Sequence, residues 1–302
     1  MSAEINRSPV AHVTHPDYFD GPFGQVMLDA FRMQIDEFAA WKQSDGAHVT
    51  AGGITIVLPS LNDSPLLVER AIQGIRQQDF VQEPEILFIN AGNENRTLQV
   101  ARRAGVEVVN VFVGPGFRAD MLNTGLEAAD PAHQYVFTMP AHATMASNVT
   151  LASAHRQMQG EGLDRPVAGA YGVTLPDKNA SRVERIGGHL LGATERLASG
   201  PRPAAGGTGF LDASCSMVDR SIVQEFDPVY DPTYGNGGAD GDLGARLLEA
   251  GLAVILNGGQ SVHHTHGFVL RAGLQALSWM RMSKPREHKP ALARLWHKNN
   301  GL

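Results

Sequence analysis

Several features are scarce in this sequence, and each absence narrows the reading. Cysteine occurs once, as Cys215, among 302 residues. One thiol excludes an internal disulfide and a cysteine-built zinc site. No uninterrupted apolar run reaches about 18 residues, so no membrane span is expected. Residues 1–16 are polar and lack the apolar core of a secretory leader, so the expected location is the cytoplasm. Positive charge is not in excess either. The net charge is −6, which argues against a general nucleic-acid binder. With 43% hydrophobic and 19% charged residues, the composition is that of a globular chain rather than a disordered one.

The charge is unevenly spread. Residues 270–302 hold seven Lys or Arg against one acid, Glu287, for a net +6, which leaves −12 on residues 1–269. Such a basic tail suits a peripheral contact with an acidic membrane surface, a phosphorylated substrate or an acidic partner; the alternative is a solvated helix face.

Three segments are expected. Residues 1–52 form an N-terminal extension. Within it Phe23, Val26, Met27, Phe31, Ile35 and Phe38 recur at helical spacing, which predicts an amphipathic helix over 23–41. That apolar stripe either covers the core or pairs with a second copy as a homodimer. Residues 53–269 form the main domain, and residues 270–302 a basic tail of helical pieces.

In the main domain, short apolar β-branched runs alternate with helical patterns. Strands are predicted over 54–58, 85–89, 106–113 and 135–139. Helices are predicted over 64–78, 94–104, 118–128 and 147–159, the first with Ser64 as N-cap and Pro65 in its first turn. The rhythm implies an α/β domain, a mostly parallel Rossmann-like sheet sandwiched by helices. Further strands are predicted over 167–175, 210–218 and 252–256, with a helix over 242–250 ended by Gly251. Residues 176–208, rich in Gly, Pro and Arg, predict an irregular segment.

Ligands bind beyond the carboxyl ends of the strands in an open parallel sheet. That rule selects the loops 59–63, 90–93, 114–117 and 140–143. Three are followed closely by a helix start, where backbone N–H groups suit an anion such as a diphosphate.

The order of the motifs carries a resemblance. The first strand runs into Pro59-Ser60-Leu61-Asn62. Glu85 to Ile89 is the second, and Asn123 and Gly125 precede the fourth. Later come Gly237-Gly238-Ala239-Asp240-Gly241-Asp242-Leu243 with Arg246-Leu247, then Val262-His263-His264-Thr265-His266-Gly267. Taken in this order, over roughly residues 53–270, the chain resembles family 2 glycosyltransferases of the GT-A fold.

The resemblance implies inverting transfer of a sugar from a nucleotide-diphosphate donor to a hydroxyl on a small molecule or glycan precursor. It places Pro59, Ser60, Asn62, Asn90, Gly92, Arg118, Asn123 and His142 against the donor. It makes Asp240 the general base, with Asp242 as competitor; the alternative is that both merely cap a helix.

The departures are as informative. The family's metal-binding Asp-x-Asp reads Met139-Pro140-Ala141-His142 here, and its Asp-Asp-Gly-Ser reads Asn90-Ala91-Gly92-Asn93. The carboxylates that hold magnesium or manganese are missing. Two outcomes follow. Either His142, His264 and His266 bind a divalent cation, imidazole suiting manganese better than magnesium. Or no cation binds, and histidines, helix starts and Arg118, Arg182, Arg185 or His189 neutralise the diphosphate. Asn90 can accept and donate where a carboxylate only accepts, so the donor base stays open. Loss of the carboxylates also motivates a second reading, a catalytically degenerate GT-A domain that binds a ligand or acts as a scaffold.

Overall fold

The computed structural model describes residues 53–79, 83–92, 95–111, 117–160, 163, 165–176, 211–234 and 238–264. The expected N-terminal extension, most of the 176–208 segment and the basic tail lie outside them, as do Arg182, Arg185, His189 and His266.

The chain opens with β1 (Gly53–Ser60), buried at every position. Helix α1 (Pro65–Arg76) follows. Ser64 occupies the N-cap in extended geometry, but its side chain makes no capping bond; Pro65, whose missing N–H costs nothing there, starts the helix. Then come β2 (Glu85–Asn90), α2 (Asn95–Arg103), β3 (Glu107–Asn110), α3 (Phe117–Ala128) and β4 (His133–Thr138). The short β5 (Thr144–Met145), α4 (Thr150–Met158) and β6 (Val167–Leu175) complete the first part. The last part holds β7 (Ser216–Asp219), α5 (Arg220–Val223), a 3-10 turn (Pro232–Tyr234), α6 (Ala239–Glu249) and β8 (Ala253–His263).

The eight strands form one sheet in the order β3-β2-β1-β4-β7-β6-β8-β5. Strands β1 to β4 run parallel, with Val57 opposite Leu87 and Thr138. Strand β7 runs antiparallel to both β4 and β6, and β5 runs antiparallel to β8. The sheet is thus mixed and mostly parallel, as the alternating pattern predicts.

Two apolar layers explain why β1 reads as a continuous hydrophobic run. Ile54, Ile56 and Leu58 pack with Val68, Ile72 and Ile75 of α1, Ala101 of α2, and Leu151, Ala154 and Met158 of α4. Val57 packs on the other side with Ala119, Leu122 and Leu126 of α3 and Leu243 and Leu247 of α6. A strand covered on both faces favours apolar side chains on both, not at alternate positions only; the one polar side chain within 54–58, Thr55, is buried with its hydroxyl bonded to Glu85 at 2.5 Å. Helix α3 lies very close to β1: a Cβ built on Gly125 would sit 2.4 Å from Cγ1 of Val57.

Three expectations are corrected. Strand β7 begins at Ser216, not at 210, because residues 211–215 form a turn. Helix α6 begins three residues before the predicted start at 242. Its N-cap is Gly238 at φ 102°, and the Asp242 N–H closes the first turn on the Gly238 carbonyl at 2.8 Å. Asp242 therefore does not cap the helix. Strand β8 runs on to His263 instead of stopping at 256. The register shifts across Asn257 to Gln260, where the chain bulges and re-pairs, Val173 facing Ser261 and Leu175 facing His263.

Candidate active site

The carboxyl ends of β1, β2, β4, β6 and β8 share one edge because these strands run the same way. Strand β7 runs the other way, so the residues just before it, 212–215, reach that same edge. The starts of α3 and α6 close the rim.

At the end of β1, Pro59 stays in the ladder and its carbonyl accepts the Ala141 N–H at 3.1 Å. Ser60 is buried. Asn62 adopts φ 57°, a left-handed turn conformation that Asn tolerates. Gly92 lies directly against it: a Cβ there would fall 2.4 Å from Oδ1 of Asn62 and 2.6 Å from its nitrogen. The first two loops therefore interlock only with glycine at 92. Asn90 holds the second loop. Its Nδ2 donates to the Gly92 carbonyl at 2.9 Å and to Oδ1 of Asn110 at 3.0 Å. The Gly92 N–H donates back to Oδ1 of Asn90 at 3.3 Å.

The fourth loop continues alongside β1, with Met139 and Ala141 fully buried. His142 follows, and it is bonded on both nitrogens. Its Nδ1 lies 2.7 Å from Oδ1 of Asp63, and its Nε2 lies 2.8 Å from Nε2 of His264. His264 is buried, and its N–H bonds the Leu175 carbonyl at 2.7 Å. Burial tends to raise the Asp63 pKa. The hydrogen bond and charge of His142, helped by Ser60 and the Leu61 N–H, outweigh it and hold Asp63 below the ordinary aspartate value.

Asp63, His142 and His264 thus form a line of carboxylate, imidazole and imidazole. Sequence reasoning selected both histidines and missed Asp63, which reads as an unremarkable acid before a helix.

Asp240 stands at the second residue of α6. Its Oδ2 accepts the Ala213 N–H at 3.2 Å, and its Oδ1 accepts the Gly241 N–H at 3.0 Å. The carbonyl of the same Ala213 accepts the Thr138 hydroxyl at 3.1 Å. One residue thereby ties Asp240 to the end of β4, the strand that leads to His142. Arg118 sits across from Asp240, with Nη2 at 3.9 Å from its Oδ2 and 3.1 Å from Oγ of Ser214. Burial pushes the Asp240 pKa up; Arg118 pulls it down, Asp212 pushes it up, and the two N–H bonds pull it down, for a net rise.

Three expected site residues fall elsewhere in the frame. Arg118 lies by Asp240 and Ser214. Asn123 clamps the backbone of Tyr230, its Nδ2 donating to the carbonyl at 2.8 Å and its Oδ1 accepting the N–H at 2.9 Å. Its amide is therefore occupied in holding the loop after α5 against α3. Asp242 is buried, with Oδ1 accepting the Tyr234 hydroxyl at 2.8 Å and Oδ2 accepting Nε of Arg246 at 2.7 Å. Both its oxygens are engaged inside the fold.

The residues described do not suit a divalent cation. Hard cations take several oxygen ligands. The fourth loop offers no carboxylate where the family has two, and Oδ1 of Asp63 is engaged by His142. Among the described residues no group of three or more His, Cys, Asp or Glu could hold a metal ion. The described helices also include none long and apolar enough to cross a membrane.

No protein-family model and no curated protein matches the sequence. Solved structures do match the fold. A mannosyltransferase from Pyrobaculum calidifontis, in complex with GDP-Man and Mn2+, superposes with a TM-score of 0.59 at 17% identity, over 92% of this chain and 78% of that one. TarS from S. aureus, in complex with UDP, superposes with a TM-score of 0.53 at 11% identity, over 82% and 70%. With its mixed, mostly parallel sheet and its helices on both faces, the chain has the GT-A fold.

Proposed function

We propose that the chain is a glycosyltransferase, similar to those of family 2, that moves a sugar from a nucleotide-diphosphate donor to a hydroxyl acceptor with inversion. The observation that supports this reading is the backbone of Ala213. Its N–H and carbonyl link the Asp240 carboxylate to the end of the strand that leads on to His142, so the proposed base and the imidazole pair share one rim.

In the proposed step, a carboxylate oxygen of Asp240 takes the acceptor proton as the acceptor oxygen bonds to the anomeric carbon. The bond from that carbon to the diphosphate breaks, and its electron pair leaves on the diphosphate oxygen. The linked imidazole pair of His142 and His264, sharing one proton between the rings, offsets that growing negative charge electrostatically. Asp63 fixes the orientation of the His142 ring through Nδ1. Asp240 then returns its proton to solvent. The loops at Asn62, Asn90 and Gly92 flank the nucleoside end.

The experiment begins with a thermal-shift and calorimetric screen of nucleoside diphosphates and nucleotide-sugars, with and without manganese. Donor binding with slow donor hydrolysis is expected. Asp240→Asn should then lower turnover by about 10²–10⁴-fold and leave donor affinity nearly unchanged. Normal turnover in that variant removes Asp240 from the mechanism. Binding of no nucleotide at all favours the degenerate, non-catalytic domain, a reading motivated by the missing carboxylates of the 139–142 stretch.

A further inference from the structure

One acidic side chain at the rim takes no part in the transfer step above. Asp212 begins the turn that leads into β7. Its Oδ1 accepts the Ser214 N–H at 2.8 Å, and its Oδ2 faces the Thr174 hydroxyl at 3.4 Å. The residue between them, Ala213, is the one whose N–H reaches Oδ2 of Asp240. Ser214 in turn receives Arg118, the cation 3.9 Å from Asp240. Every contact that orients the Asp240 carboxylate from outside its own helix therefore passes through, or leans on, the 212–214 turn.

We propose that Asp212 is a positioning residue for Asp240. It folds the turn that aims the Ala213 N–H at the base, and it places a second negative charge within electrostatic reach of that carboxylate. The proposal rests on the reading of Asp240 as the base. A carboxylate that must accept a proton from an alcohol gains basicity from a like-charged neighbour, while the N–H and Arg118 hold it in place. The groups facing Asp240 are Arg118 from α3, Asp212 from the turn and the buried Tyr230 from the loop after α5. On its own helix Asp242 is neutralised by Arg246.

The test follows the Asp240 carboxyl carbon by 13C NMR across pH, its resonance identified by its loss in Asp240→Asn. Asp212→Asn keeps an oxygen to accept the Ser214 N–H and so preserves the turn while deleting the charge. The Asp240 midpoint is expected to move to lower pH in that variant. An unchanged or raised midpoint in Asp212→Asn overturns the proposal. Should that variant not fold, Asp212→Ser, whose hydroxyl oxygen can accept the same N–H without the charge, is expected to give the same shift, and an unchanged or raised midpoint there overturns the proposal. The base reading stands or falls separately, on the turnover of Asp240→Asn.

Discussion

His142 and His264 lie 122 positions apart in the chain and meet Nε2 to Nε2 at 2.8 Å. Asp63 occupies the other nitrogen of His142. Both nitrogens of His142 are thus taken up within this line, and the two rings act as one unit.

The first prediction follows from that unit. His142→Ala and His264→Ala should each weaken binding of a nucleoside diphosphate, and the double variant should lose less than the sum. Calorimetry on the four proteins gives the coupling, expected at about 0.5–3 kcal/mol. Strict additivity would show that the rings bind independently.

Asp63 supplies a stability prediction with a definite sign. Its pKa in the folded chain lies below the ordinary 3.8. The stabilisation it gives is therefore complete above the unfolded value and is lost as pH falls through the folded one. The stability gap between wild type and Asp63→Asn should be flat at neutral pH and close in strong acid. Urea titrations at stepped pH measure it. A gap that widens as pH falls would contradict the assignment.

Asp240 has the opposite shift. Its pKa lies above 3.8, burial being the largest cause. A base works only when deprotonated, so turnover should fall, as pH is lowered, before an ordinary carboxylate would protonate. Arg118→Met removes the cation that counters the rise. The acid limb of kcat/KM should then move to higher pH. A limb that stays put would show that Arg118 does not act on the base.

Asp242 separates a structural acid from a catalytic one. With Tyr234 and Arg246 on its two oxygens, Asp242→Ala leaves a mostly buried guanidinium without its carboxylate. Removing one partner of a buried pair costs about 3–5 kcal/mol. Chemical denaturation should show a loss of that order, and the molecules that remain folded should bind donor as wild type does.

Gly125 tests the packing of α3 on β1. Alanine gains about 1 kcal/mol of helix propensity over glycine. The added methyl, however, meets Val57 at 2.4 Å, and overpacking of that kind costs about 1–3 kcal/mol. Gly125→Ala is expected to lower the denaturation midpoint.

Much of the fold was legible because β1, β2 and β4 lie between two apolar layers and their sequences show it. The misread boundaries share a physical cause. At Gly238 a left-handed glycine starts α6 without a side-chain cap, so the familiar Asp signal pointed three residues too far on. At 257–260 a bulge with Asn and two glycines looks like the end of a strand that in fact continues. The site divides in the same way. His142, His264 and Asp240 stand in ordered motifs with a known chemistry. Asp63 meets its partner 79 positions away, and Asp212 reaches the rim only through the fold, so nothing in their local sequence distinguishes them from solvent-facing acids. Asn123 was expected at the donor from the resemblance of its motif; its clamp on the distant Tyr230 backbone leaves no local pattern to read.

The reversed direction of β7 has one more consequence. Strand β6 ends at the ligand edge with Leu175, and β7 sets out from that edge at Ser216. The turn at 212–215 therefore enters β7 from the same edge at which β6 leaves the sheet, so the antiparallel β6–β7 pairing is what brings Asp212 and Ala213 to the rim.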